Sequence, residues 1–149
     1  MNDGVSNVLS QESPYYRFPE GIPAFEQHDS FRLARDPALD PFLFLVSRRD
    51  PGLRFICIQV RFLAPGYAYM LDEAGAALLG AEPGRYAATD ECLGCLAILS
   101  FPDGAPATAN LLAPVVIHFS NGVGLQVVQP SGGWSHAHPV GVLEDAKCS

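Results

Sequence analysis

The sequence predicts an all-β domain, a small antiparallel barrel or sandwich with one short helix, and three observations carry that prediction. Fourteen glycines and 13 prolines in 149 residues demand many turns. Aromatic and branched residues gather in short runs of strand length. An Asn121-Gly122 pair sits between two such runs, the strongest short-range sign of a β-hairpin. The length suits one core, expected over residues 15–141 with tails at 1–14 and 142–149.

Residues 1–13 are polar and aperiodic. Phe18 to Glu26 follows, where two prolines and a glycine impose a turn and Phe18, Ile22 and Phe25 offer apolar anchors, so this loop should be pinned. Phe31 to Leu33 reads as a short strand. The aromatic run Phe42 to Ser47, the turn Arg48 to Gly52 and the run Leu53 to Val60 read as a hairpin. Tyr67 to Leu71 is a further strand. Asp72 then caps a helix through Leu79, with Ala74, Ala77 and Leu78 at the spacing of one helical face. Gly80 and Pro83 end it, and Gly75 within it costs about 1 kcal/mol relative to alanine. Cys92 to Phe101 reads as a strand, and Thr108 to Leu112 as the approach to the next. Val115 to Ser120 and Val123 to Val128 flank the Asn-Gly turn. If those two residues form the loop, Ser120 pairs with Val123, His118 with Leu125 and Val116 with Val127.

Charge limits the partners. Nine basic residues against 16 acidic ones leave a net charge of -7, which argues against direct binding of nucleic acid. Residues 1–61 carry eight acids and seven arginines, whereas residues 62–149 carry eight acids and two bases, so a basic partner would meet the second half. No run reaches the roughly 18 apolar residues of a membrane helix, and no leader is expected. Four cysteines in such a chain read as reduced thiols, which points to the cytoplasm.

No catalytic set assembles: G-x-S-x-G, a P-loop, H-E-x-x-H and G-x-G-x-x-G are absent, and Lys147 is the sole lysine. Asp72-Glu73 and Asp90-Glu91 are neighbours that diverge in direction and read as solvated charge. His118 reads as a hydrogen-bonded core histidine. Cys92 and Cys95 have metal spacing and, with His136 and His138, could make a zinc site. A strand through both cysteines would point them to opposite faces, so buried thiols and no metal are the expectation.

Three segments together resemble the flagellar assembly factor family, FliW: Phe18-Pro19-Glu20-Gly21-Ile22-Pro23-Ala24-Phe25-Glu26, Pro41 to Leu45, and Thr108-Ala109-Asn110-Leu111-Leu112-Ala113-Pro114-Val115-Val116-Ile117 with Gln126-Val127-Val128. The Thr-x-Asn-Leu-x-Ala-Pro segment is the most specific, and the resemblance runs from about residue 15 to Val140. It implies a small monomeric antiparallel β-barrel, split-barrel-like, that works by binding, without catalysis or cofactor. Its implied partners are the RNA-binding translational repressor CsrA and flagellin, which displaces the repressor so that flagellin translation is silenced. Carried onto this chain, the motif makes Glu20, Glu26 and Asn110 partner-binding candidates, with Phe18, Phe25 and Leu112 as core anchors. Asn110 equally suits a local backbone cap. The chain departs from the family pattern at Gln59-Val60, His118, Leu125, Trp134 and Ala137. The alternative class is a small-ligand or flavin-binding split barrel, an oxidoreductase with its pocket inside the barrel.

Overall fold

Alternation of side chains along short, branched strands leaves each strand two apolar faces, and the protein uses both. In the computed structural model, which describes residues 14–130 and 133–141, the strands are β1 (Tyr15–Arg17), β2 (Ser30–Arg35), β3 (Leu43–Ser47), β4 (Arg54–Gln59), β5 (Ala68–Leu71), β6 (Gly84–Ala87), β7 (Leu93–Ser100), β8 (Thr108–Ala109), β9 (Val115–His118), β10 (Val123–Gln126) and β11 (His138–Pro139). One α-helix, α1 (Glu73–Leu79), lies between β5 and β6. Residues 1–13 and 142–149, where tails are expected, fall outside the described residues.

Seven strands close a barrel in the order β1-β2-β3-β4-β7-β9-β10. Six of its seven pairings are antiparallel. The barrel is thus mainly antiparallel as expected, and the seventh pairing is its one parallel seam: β1 runs with β10, with Arg17 opposite Val123 and the Arg17 amide donating to the Gly122 carbonyl at 2.8 Å. A closed barrel of an odd number of strands cannot alternate throughout, so one parallel seam is required.

Inward positions are filled by side chains. Phe18, Phe31, Leu45, Cys57, Leu96, Val115 and Ile117 pack together in one buried cluster. The alternative reading placed a ligand pocket there, and these residues occupy the space it would need. The outward face of β4, β7, β9 and β10 forms a second, larger core with α1, β5 and the segment around Leu111. This double use explains why LRFICIQV is apolar on both faces.

Helix α1 starts and stops where expected. The Asp72 carboxylate accepts from the Gly75 amide at 2.8 Å, and Gly80 closes the helix in the left-handed region at φ 76°. Its buried face differs from the expected one. Gly75, Ala76 and Leu79 face the core, while Ala74 and Ala77 are exposed and Leu78 is half-buried. A methyl group on Gly75 would stand 3.4 Å from Leu125 Cδ2, so the glycine that weakens the helix also faces the barrel at close range.

The β9–β10 hairpin is offset by two residues from the expected pairing. His118 opposes Val123 and Val116 opposes Leu125, which leaves Phe119 to Gly122 as a four-residue loop. Faces survive a shift of two, so Val116, Val123, Leu125 and Val127 still line one core. Asn121 is the cause: its side-chain amide donates to the Leu79 carbonyl at 3.0 Å, tying the loop to the end of α1. His118 Nδ1 accepts from the Asn121 amide at 3.2 Å. The expected hydrogen-bonded histidine is therefore present, half-buried, opposite a different partner.

Candidate functional site

The loop from Phe18 to Glu26 closes one mouth of the barrel. Phe18 is fully buried against Phe31 and beside Gly124, where any side chain would collide with its ring. Gly21 at φ 63° packs against the Glu26 backbone, and Ile22 bridges Phe25 through a 2.6 Å backbone hydrogen bond. Phe25 is half-buried, edge-on to Phe55 at 5.4 Å. The loop is thus pinned as expected, with two of its three anchors fully inside.

Beside this loop lies a groove of about 390 Å³. Ile22 and Pro23 form one wall, Phe55 and Ile98 the floor, and Asn110, Ala113 and Gln126 the far wall. Val128 stands on the rim at 69% exposure, and Ser100 and His136 complete the lining. The Gln126 side-chain Nε2 donates to the Ala113 carbonyl at 2.9 Å, so two parts of the far wall are joined. Three segments far apart in sequence, 18–26, 108–114 and 126–128, therefore meet at one place.

The three candidate residues fall as follows. Glu20 is exposed in the loop, and Glu26 is exposed with its carboxylate accepting from the Ala24 amide at 3.1 Å. Asn110 lines the groove half-buried, yet its side-chain oxygen is engaged by the Leu112 and Ala113 amides at 3.1 and 3.0 Å. It shapes the wall as a local cap. The structure brings Asn110 to the groove and puts Glu20 and Glu26 on the loop that walls it. Sequence reasoning missed Ile22, Phe55, Ile98, Val128 and His136 as lining; each reads there as core, strand or solvated residue. Leu112 is half-buried, and Leu111 takes the core position with no exposure.

The opposite mouth has nearly the same volume, about 380 Å³, but a different character. Leu33, Leu43 and Leu96 lie at its base, with Arg61, Asp90 and Glu91 around it. Phe119 covers it, its ring so close to Gly94 that an added methyl would stand 2.6 Å from Cζ. Asp90 is not simply solvated: it accepts from the Cys92 and Leu93 amides at 2.8 and 3.3 Å and so starts β7. Asp72, capping α1, corrects the solvated-charge reading in the same way.

The residues departing from the family pattern are not among those lining the groove, although Leu125 and Ala137 adjoin the lining residues Gln126 and His136. Gln59 is at the opposite mouth, and Leu125 packs against α1. His118 is in the hairpin, and Trp134 rests on Tyr67 at 4.9 Å between centroids. Ala137 is exposed in the turn before β11.

Ser100 and His136 both line the groove. The four possible zinc ligands are not gathered. Cys95 faces the outer core near the start of β7, whereas β8 joins β7 at Leu99 and carries β11 with His138. No group of three or more metal-ligating side chains occurs among the described residues. Burial pushes the Cys57 and Cys95 thiols up to about 12, while Cys92 is exposed.

No helix among the described residues is long and apolar enough to cross a membrane. Comparison with known proteins gives a consistent picture. Residues 4–140 match the family described as FliW protein. The chain is 32% identical over 148 residues to the flagellar assembly factor FliW of Caldanaerobacter subterraneus, covering 98% of this chain and 92% of that one. The Bacillus subtilis protein of the same name is 28% identical over 139 residues, covering 93% and 92%. A crystal structure of the flagellar assembly factor FliW superposes with a TM-score of 0.74 at 27% identity, covering 88% of this chain and 87% of that one. Barrel topology, segment order and sequence matches over nearly the whole chain agree: the protein belongs to the FliW family of flagellar assembly factors.

Proposed function

We propose that this chain is a non-enzymatic, cytoplasmic partner switch that binds a CsrA-type translational repressor and withholds it from RNA, and that also binds flagellin. Rising flagellin then releases the repressor. The observation that carries the reading is the meeting of two of the three family-like segments, 18–26 and 108–117 with 126–128, in one apolar groove; Leu43 of the remaining segment lies at the opposite mouth, and no residue departing from the family pattern lines the groove. A groove floored by Phe55 and Ile98 suits the apolar side chains of a protein partner, and the Asn110 and Gln126 side chains in its walls are held by hydrogen bonds to the backbone. Glu20 and Glu26 add negative charge beside it, and the net charge of -7 would steer a basic, RNA-binding repressor. The protein acts as a monomer and needs no cofactor on this reading.

The test is calorimetric titration of the protein into the same organism's CsrA-type repressor and, separately, its flagellin, followed by competition between them. Saturable binding to both, with flagellin displacing the repressor, is expected. Binding to neither would overturn the proposal, and simultaneous binding of both would overturn the switch.

A further inference from the structure

The outer face of β1 to β3 and of the start of β4, beyond the second core, is rich in arginine. Its strand positions alternate with the barrel interior, so Tyr15, Arg17, Ser30, Arg32, Val46 and Arg54 all point outward. Register places them in two rows. Arg32 opposes Tyr15 on one side and Val46 on the other, and Val46 opposes Arg54. Arg17 opposes Ser30, whose carbonyl accepts from the Arg48 amide at 2.9 Å. Four guanidinium groups thus share one face within about 15 Å, three strand spacings. No strand position on that face carries a carboxylate.

The arginines are held rather than loosely solvated. Arg48 lies over the Tyr15 ring at 5.1 Å. Val46 faces outward yet is only 5% exposed, with Arg32 and Arg54 as its cross-strand neighbours. Asp29 borders Arg17 and Arg48, and Asp36 borders Arg32 and Arg54, but the Asp36 carboxylate is turned to the Ala38 amide at 3.0 Å.

We infer that this face docks an acidic, Asp- and Glu-rich segment of a protein partner. Guanidinium forks on a rigid sheet match carboxylates bidentately, and the face is the basic pole of a chain whose second half is strongly acidic. A nucleic acid fits less well. Of the two aromatic rings at outward strand positions, Tyr15 is already covered by Arg48 and Phe44 is half-buried beside Arg32 and Arg54, so neither offers an open platform for a base to stack on. This surface is separate from the groove and makes no use of it.

The test is fluorescence anisotropy of a short labelled polyglutamate peptide with the full chain at low salt, beside an oligouridylate of equal length. Saturable peptide binding is expected, weakened roughly tenfold or more by the combined Arg17→Ala, Arg48→Ala and Arg54→Ala substitutions. Arg85→Ala, on β6, leaves it unchanged. If the triple variant fails to fold, Arg54→Ala alone carries the test, with a loss of about threefold or more expected. Absence of peptide binding, binding that the folded variants leave intact, or tighter binding of the oligouridylate would each overturn the inference.

Discussion

Two tyrosines two residues apart, Tyr67 just before β5 and Tyr69 within it, meet different fates. Tyr67 donates its hydroxyl to the Leu111 carbonyl at 2.6 Å, whereas the Tyr69 hydroxyl is buried without a partner among the described residues. A hydrogen bond kept from water contributes about 1 kcal/mol, while an orphaned hydroxyl costs about 1–3 kcal/mol. Tyr67→Phe should therefore destabilise the protein by about 1 kcal/mol and Tyr69→Phe should leave it as stable or more so, as read by urea denaturation. Equal losses from both would contradict the geometry. Asn110 allows a similar separation of roles. Asn110→Ala removes the acceptor from two amides and should cost about 1–2 kcal/mol, with Asn110→Asp close to wild type in thermal melts. Of the three candidate contact residues, Asn110 reads correctly in the sequence as a possible local cap. The bond from Ala24 to Glu26 depends on the turn at Gly21 and is not visible from residue types alone.

At the scale of elements, strands and helix limits are legible because they depend on local chemistry. Branched runs, the Asp72 cap and the Gly80 stop all lie within a few residues of what they control. Three short strands are not: β1, β6 and β11 have three, four and two residues, too few for a period to show. The Asn-Gly turn misleads by two residues because Asn121 is engaged by the end of α1, 42 positions away in sequence. The helix face misleads because alanine and glycine carry little hydrophobic signal, and close approach to Leu125 decides which side is buried. Closeness also sets the cost of adding a methyl group. Gly124→Ala drives a side chain into the fully buried Phe18 ring at the barrel seam and should destabilise by about 2–3 kcal/mol. Gly94→Ala meets only Phe119, which is 43% exposed and free to swing outward, and should cost under about 1 kcal/mol. Comparing the two by thermal denaturation checks whether the seam or the covered mouth is the rigid end.

For the whole molecule, the class of fold follows from turns and strand runs, and the closure does not. The parallel pairing of β1 with β10 joins residues more than 100 positions apart, and nothing local specifies it. The groove is hidden for the same reason: only the closed barrel brings Ile22, Asn110 and Gln126 together. The closed core also sets the alkaline limit of stability. Cys57 and Cys95 move from an ordinary 9.0 up to about 12, so between those values the unfolded chain has lost protons that the folded one keeps. Stability should be level below about pH 9 and then fall, by up to about 1.4 kcal/mol per pH unit for each thiol. Tyr67 and Tyr69, raised by burial from 10.0, act in the same direction. Urea midpoints measured between neutral and alkaline pH check this, and Cys57→Val should lessen the slope.

The central claim is that the groove walled by residues 18–26 and 108–114 is where a protein partner is held. Its most direct test is calorimetric titration of the organism's CsrA-type repressor with wild-type protein and with Val128→Arg. That residue is 69% exposed on the groove rim, so the change leaves the core untouched. Saturable wild-type binding is expected, weakened about tenfold or more in the variant with its melting temperature retained. Wild-type affinity in the folded variant would place the partner elsewhere and contradict the assignment of the groove.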